Sequence, residues 1–376
     1  MPTYKAFYTY IAPFIIQMAL NYHRIIIKIG SNVFTQKDGL PDLKRIHHLV
    51  EQIAEIKKRG IEVILVSSGA VASGRSLITV SDKYDAVAAR QLLASIGQVK
   101  LINTYAHLFE QYSILCSQVL VTREDFRDRL HYLNMKNCLE ILLLHHVIPV
   151  VNENDVVSVT ELMFTDNDEL AGLIASMLNA QALIVLTNVD GIYDGDPNAE
   201  GTEVIQEFNS TVIDFSLFVS SGRSQFGRGG MITKSTMAHK VAQLGIAVHI
   251  ANGTKDNILI DLLDNDCLHT RFAPNKTTSG KKKWIAHSGN YATGKVQVNE
   301  GAKNALTSSK ASSLLPVGIL NILSEFKKGE IIKLVDEHDK LIGLGIAEYG
   351  SDKASEMIGK KNQKALVHYD YLYLEN

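Results

Sequence analysis

The chain has 376 residues, more than a single hydrophobic core usually supports, so two domains are expected. Its 38 basic and 40 acidic side chains leave a net charge of −2, which excludes a general electrostatic attraction to nucleic acid. The three cysteines, Cys116, Cys138 and Cys267, are odd in number and lack metal-ligand spacing, which excludes a disulfide framework and fits a reducing, cytoplasmic setting.

In chain order, residues 1–23 read as an N-terminal extension. Its apolar run Ile11–Leu20 is about half the length of a membrane span, so no membrane association is expected, and Met18 offers an alternative start. Strands and helices then alternate. Ile25–Ile29 reads as a strand. Asp42 is an N-cap for a helix in which Leu43, Ile46, Val50, Ile53 and Ile56 recur at helical spacing up to Gly60. Strands are expected at Ile61–Val66, Ile114–Val121 and Val147–Val151, with helices over about 84–110 and 129–145 between them. Leu170–Leu178 reads as a helix, Ala182–Leu186 as a strand, Met231–Leu244 as a helix and Ile246–Ala251 as a final strand. Apolar strands separated by helices imply an α/β sandwich of three layers around a mainly parallel sheet, with ligands at the C-terminal strand ends. The chain therefore divides into an α/β domain over 24–264, a polar linker over 265–283 and a small β-rich domain over 284–376. A chain ending near Asp264 is expected to fold and to keep activity, because every chemical motif precedes the linker.

Those motifs concentrate charge at the strand ends. Asn152–Asp155 follows a strand and is joined by Asp166-Asn-Asp168, although gathered carboxylates cost stability unless a cationic group or a metal compensates them. Lys28 ends the first strand before Gly30-Ser31. Lys234 lies in an apparent first helical turn behind Gly227-Arg-Gly-Gly-Met231, where a phosphate could approach backbone N–H groups and the positive end of the helix dipole. Two lysines, acids to orient them and an amide–acid pocket for an amine-bearing substrate are what phosphoryl transfer requires.

The order of these motifs resembles that of the glutamate 5-kinase family, from Lys28 to about residue 370. The resemblance is carried by Lys28-Ile-Gly-Ser31, Val66-Ser-Ser-Gly-Ala-Val-Ala-Ser-Gly74, Val151-Asn-Glu-Asn-Asp155, Asp166-Asn-Asp168, Leu186-Thr-Asn-Val-Asp-Gly191 and Gly229-Gly-Met-Ile-Thr-Lys234. In the second domain it is carried by Lys283-Trp-Ile285 and Ser312-Ser-Leu-Leu-Pro-Val-Gly318. It implies an amino-acid-kinase fold with a C-terminal PUA domain, and transfer of the ATP γ-phosphoryl group to the side-chain carboxylate of L-glutamate in the first step toward proline. Lys28 and Lys234 then match the lysines that neutralise the transferring group, and Asp166 the acid that organises them. Ser68, Gly69, Asn152, Asp155 and Asn167 match the glutamate site, with Asp155 suited to the substrate ammonium. Thr187, Asn188, Arg228, Gly229, Gly230, Met231, Ile232, Thr233 and Lys234, together with Lys28, match the nucleotide site. Mg²⁺ is expected on the ATP phosphates, with no protein ligand assigned to it. The resemblance also implies a homo-oligomer and feedback inhibition by proline, bearing on the region Arg123–Arg129.

Three residues depart from the family pattern: Met163 for a lysine, Arg228 for a threonine and Asn188 for an aspartate. Arg228 reads equally as a phosphate contact or as a solvated charge. Other amino-acid-kinase activities, on acetylglutamate, aspartate or a nucleoside monophosphate, stay open, as does RNA binding through the PUA-like domain. The segment 284–376 lacks the basic–aromatic stripe that RNA binding would favour, so nucleic acid is not expected as a partner. His145-His146 reads as helix surface and Lys281-Lys-Lys283 as a soluble linker.

Overall fold

The computed structural model describes residues 20–81, 83–157, 167–195, 201–208, 231–275, 280–289, 292–308 and 311–375. The strands of the first sheet are β1 (Arg24–Ile29), β2 (Glu62–Ser67), β3 (Cys116–Val121), β4 (Ile148–Glu153), β5 (Ala182–Thr187), β6 (Glu207–Phe208), β7 (Ala247–Asn252) and β8 (Thr270–Phe272). The helices around it are α1 (Ser31–Phe34), α2 (Leu43–Lys58), α3 (Ala70–Arg75), α4 (Ala86–Glu110), α5 (Glu124–Arg127), α6 (Arg129–Leu144), α7 (Asn167–Met177), α8 (Met231–Gln243) and α9 (Ile258–Leu263). The expected N-cap is present, since Asp42 Oδ1 accepts from Arg45 N at 3.0 Å. Asp85 and Asp128 cap α4 and α6 in the same way.

The sheet order is β3-β4-β2-β1-β5-β7-β8-β6, and all neighbours from β3 to β7 are parallel. The pleat sorts β1 between two cores. Ile25, Ile27 and Ile29 face α2, α4 and α9, while Ile26 points to the other face with Leu170, Ile174 and Val241 of α7 and α8. Lys28 has the parity of Ile26, so it projects to the side covered by α7 and α8.

Two expectations need correction at the C-terminal side of this domain. Ile246–Ala251 is not the final strand: β8 pairs antiparallel with β7, and β6 pairs with β8. Thr270–Phe272 is too short to show a period in sequence, and it is held in place by Phe272 stacking on Phe208 at 4.8 Å. Nor is 281–283 a solvated spacer, because α10 (Gly280–His287) packs on α7 and buries Lys283, Trp284 and Ile285. Trp284 Nε1 donates to Phe126 O at 3.1 Å, and the Arg129 guanidinium lies 4.7 Å from the Trp284 ring centroid. Burial pushes the Lys283 ammonium below its ordinary pKa. A chain ending at Asp264 is thus expected to melt about 10 °C or more below one ending at Gly289, since buried side chains the size of Trp284 and Ile285 each contribute roughly 1.5–3 kcal/mol. Equal melting temperatures would show that neither β8 nor α10 adds to the stability of the α/β domain.

Two buried histidines, His249 on β7 and His269 before β8, form a chain of hydrogen bonds that the sequence did not reveal. The Cys267 carbonyl can only accept, so His269 Nδ1 donates to it at 3.1 Å and leaves Nε2 as an acceptor. His249 Nδ1 then donates to His269 Nε2 at 3.0 Å, and the Tyr22 hydroxyl donates to His249 Nε2 at 2.9 Å. Both imidazoles are neutral in this arrangement, and burial pushes both below the ordinary histidine pKa. The bonds fasten the segment entering β1 to the other half of the sheet.

The second sheet comprises β9 (Gly294–Val298), β10 (Ile319–Ser324), β11 (Ile331–Val335), β12 (Leu341–Ile346) and β13 (Leu372–Leu374), in the order β10-β9-β11-β12-β13. Helices α11 (Glu300–Thr307) and α12 (Ser351–Met357) accompany it. One core of this sheet is built on Val296, Ile332, Leu334, Leu366 and Val367, whereas Ile331 and Leu344 join Trp284, Ile285 and α7 in the core of the first domain.

Candidate active site

The C-terminal ends of β1, β2, β4 and β5 lie side by side, with Lys28 level with Val66 and Val185, and Ile29 level with Ser67 and Leu186. Lys28 is 4 % exposed. Above it α7 begins with Asn167-Asp168, and Asp168 repeats at helical spacing with Ala171, Gly172 and Ala175 on a fully buried face. Lys234 lies in the opening turns of α8. A cation there opposes the helix dipole, a cost that suits a position facing anions.

These three side chains meet. Lys28 Nζ lies 2.5 Å from Asp168 Oδ1, and Lys234 Nζ lies 2.5 Å from Asp168 Oδ2. Burial alone would raise the Asp168 pKa, but the charges of Lys28 and Lys234 outweigh it and hold the carboxyl below its ordinary value. The acid between the lysines is therefore Asp168. Asp166, to which that place was assigned from sequence, lies outside the described residues.

Beside the lysines is a chain of amides. Asn152 Oδ1 accepts from its neighbour's backbone, Glu153 N, at 2.9 Å, which fixes which end of that amide is oxygen. Asn167 Nδ2 donates to Asn152 Oδ1 at 3.1 Å and to Ser68 Oγ at 3.0 Å. Asn152 Nδ2 donates to Gln98 Oε1 of α4 at 3.0 Å. One backbone N–H thus sets the polarity of the whole chain, in which Asn167 donates through Nδ2. Ser67 Oγ is bonded to the buried Tyr105 hydroxyl at 2.8 Å, which steadies the turn carrying Ser68.

That turn has strict steric needs. Gly69 has φ +118, and a Cβ there would sit 2.4 Å from the Phe34 ring. Helix α3, which follows, lies directly on α4, where a Cβ at Gly97 would come within 1.9 Å of Ala70 O. Asp155 is 9 % exposed and paired with Arg90 of α4, a partner not foreseen from sequence.

At the β5 end, Thr187 O accepts from Gly253 N at 2.8 Å, and Asn188 lies within 3.4 Å of the Thr187 hydroxyl. Asp190 is held by Asn252 Nδ2 and Lys255 Nζ, both at 2.8 Å. Met231, Ile232 and Thr233 open α8, with Ile232 exposed. Arg228, Gly229, Gly230 and Met163 lie outside the described residues. The structure brings together Lys28, Lys234, Ser68, Asn152 and Asn167, with Asp155 at the rim on the α4 side. No group of three or more His, Cys, Asp or Glu arranged to hold a metal occurs among the described residues.

A parallel sheet with two lysines converging on one helix-borne acid at its C-terminal edge defines a phosphoryl-transfer α/β protein, and the sequence places it. The amino acid kinase family matches residues 23–252, and the PUA domain matches residues 294–369. The chain belongs to the amino acid kinase family. It is 52 % identical over 361 residues to the glutamate 5-kinase of Bacteroides thetaiotaomicron, covering 95 % of this chain and 100 % of that protein. It is 47 % identical over 354 residues to the glutamate 5-kinase of Chlorobaculum tepidum (94 % and 98 % covered) and 37 % identical over 357 residues to that of a Thermoanaerobacter species (94 % and 95 %).

Proposed function

We propose that the chain transfers the γ-phosphoryl group of ATP to the side-chain carboxylate of L-glutamate, giving L-glutamyl 5-phosphate at the entry to proline synthesis. The observation that carries this reading is the Lys28–Asp168–Lys234 triad beside the Ser68–Asn167–Asn152 chain, in a protein 52 % identical to a glutamate 5-kinase. A γ-carboxylate oxygen attacks phosphorus as the bond to the ADP oxygen breaks, and no proton needs to move. The chain's contribution is alignment and neutralisation of charge on the phosphoryl oxygens. Asp168 acts by aiming two ammonium groups; held ionised by them, it is no proton acceptor.

Ser68, Asn152 and Asn167 hold the acceptor with hydrogen bonds that add no like charge. Thr187, Asn188 and the start of α8 face the nucleotide. Mg²⁺ bound to ATP supplies further charge neutralisation on the phosphates. Asp168 would offer it no open oxygen, since both of its oxygens carry ammonium groups. A cytoplasmic homo-oligomer inhibited by proline belongs to the same reading. Association is supported by Leu115, Leu120, Leu130, Leu133 and Leu144, exposed around edge strand β3. No described helix is long and apolar enough to cross a membrane.

ADP release measured with a panel of acceptors tests the reading. L-Glutamate is expected to exceed L-aspartate in kcat/KM by at least roughly tenfold, because the shorter side chain leaves its carboxylate one methylene short of in-line attack. N-Acetylglutamate lacks the ammonium and is expected to be poor. Comparable turnover of either would move the chain to a different activity of its family.

A further inference from the structure

Asp155 is already occupied by a cation of the protein. Arg90, in the second turn of α4, donates through Nε and Nη2 to one oxygen, Asp155 Oδ1, at 3.0 and 2.7 Å. Its Nη2 also lies 3.8 Å from Glu153 Oε2. The neighbouring Gln91 Nε2 donates to Val156 O at 2.7 Å, a second tie between the start of α4 and the loop after β4. Both donors fall on Oδ1, which leaves Asp155 Oδ2 and Arg90 Nη1 without a partner among the described residues. The two open groups differ in kind: Asp155 is nearly buried, whereas the Arg90 side chain is 44 % exposed.

An open carboxylate oxygen beside an open guanidinium nitrogen is complementary to the head of an α-amino acid. The charge balance requires the second half of that match. Glu153 and Asp155, both buried, would repel the α-carboxylate of any ligand whose ammonium they attract. Lys28 and Lys234 are committed to Asp168 and the phosphoryl end. The cation on Asp155 is Arg90, and its planar fork suits a carboxylate. We propose that Arg90 binds the α-carboxylate of the amino-acid substrate, so that the Arg90–Asp155 pair receives the zwitterionic head as a unit, ammonium at Asp155 and carboxylate at Arg90. The inference rests on the acceptor reading above.

The test compares L-glutamate with its α-amide, L-isoglutamine, which keeps the ammonium and the reacting γ-carboxylate but carries a neutral amide at the other end. Both are measured as acceptors, and isoglutamine also as a competitor of glutamate. Arg90→Met is expected to lower kcat/KM for glutamate by roughly tenfold or more, the loss of a charged hydrogen bond. The value for isoglutamine, or its inhibition constant, should change by less than about threefold, with KM for ATP unchanged. Arg90→Lys should retain part of the preference for glutamate. An equal loss on both compounds would mean that Arg90 merely braces Asp155, and no loss on either would mean that it does neither; each result overturns the inference alone. A parent enzyme that does not phosphorylate glutamate would overturn the acceptor reading, and this inference with it.

Discussion

Replacing Asp168 by asparagine is expected to lower kcat by on the order of a thousandfold, the upper end of what one preorganised electrostatic group contributes. The substitution keeps the shape and removes the charge that two ammonium groups share at 2.5 Å. An asparagine oxygen can accept from one lysine, but its amide N–H groups then face the other. The lysines would repel each other and leave their aim. Breaking a buried ion pair by neutralising one member also costs about 3–5 kcal/mol, so the melting temperature should fall with the activity. ATP phosphates would restore part of the missing negative charge, and ATP should therefore stabilise the variant more than the parent. A folded Asp168→Asn protein that turns over within about tenfold of the parent would remove Asp168 from the machinery.

The same residue marks where sequence reasoning stops. Lys28 and Lys234 were legible because each breaks a local pattern, one ending an apolar strand and the other opening a helix behind glycines. The choice between Asp166 and Asp168 was also open to local reasoning. Asp168 shares a helical stripe with Ala171, Gly172 and Ala175, a signal lost because the helix was expected to start at Leu170 rather than Asn167. The parallel strands β1 to β5 and β7 were placed to within about two residues, since continuous burial on both faces writes itself into sequence as unbroken Ile, Val and Leu, whereas β6 and β8 were missed. Arg90, Gln98 and Tyr105 were invisible for a different reason. Each acts on a residue far along the chain, and a period along one helix says which side is buried, not which carboxylate or amide awaits it there. His249 and His269 escaped in the same way, as polar residues whose burial is licensed only by each other, Tyr22 and a carbonyl. Trp284 sat in a segment whose lysines and glycine look like a linker.

Lys28→Ala and Lys234→Ala should each reduce kcat by on the order of a hundredfold or more, because each deletes one of two positive charges acting on the phosphoryl oxygens in a site of low polarity. The two need not be equal. Lys28 is the more buried, with its side chain 6 % exposed against 17 % for Lys234, so its removal takes away the less screened charge. In either variant a single ammonium opposes the burial of Asp168. Its carboxyl then titrates at a higher pH than in the parent, and activity should begin to fail at a correspondingly higher pH on the acid side. Circular dichroism establishes folding, and steady-state ADP release reads kcat. Near-parental turnover by a folded variant would show that the lysine concerned is a structural partner of Asp168 alone.

The seat of Trp284 also bears on how this two-domain chain can be recombined. Helix α10 is sewn to the α/β domain through Trp284, Phe126 and Arg129 and packs with its other side on β12 and β13 of the β-rich domain. A β-rich domain transplanted with its own copy of this helix would have to reproduce an indole in register with the turn between α5 and α6. A domain joined after Gly289 escapes that demand but must still present to α10 the face made by β12, β13 and Tyr371, whose ring lies 4.7 Å from Lys281 Nζ. Viable chimeras should therefore keep both partners of α10 matched, and natural insertions should avoid the eight residues of the helix itself.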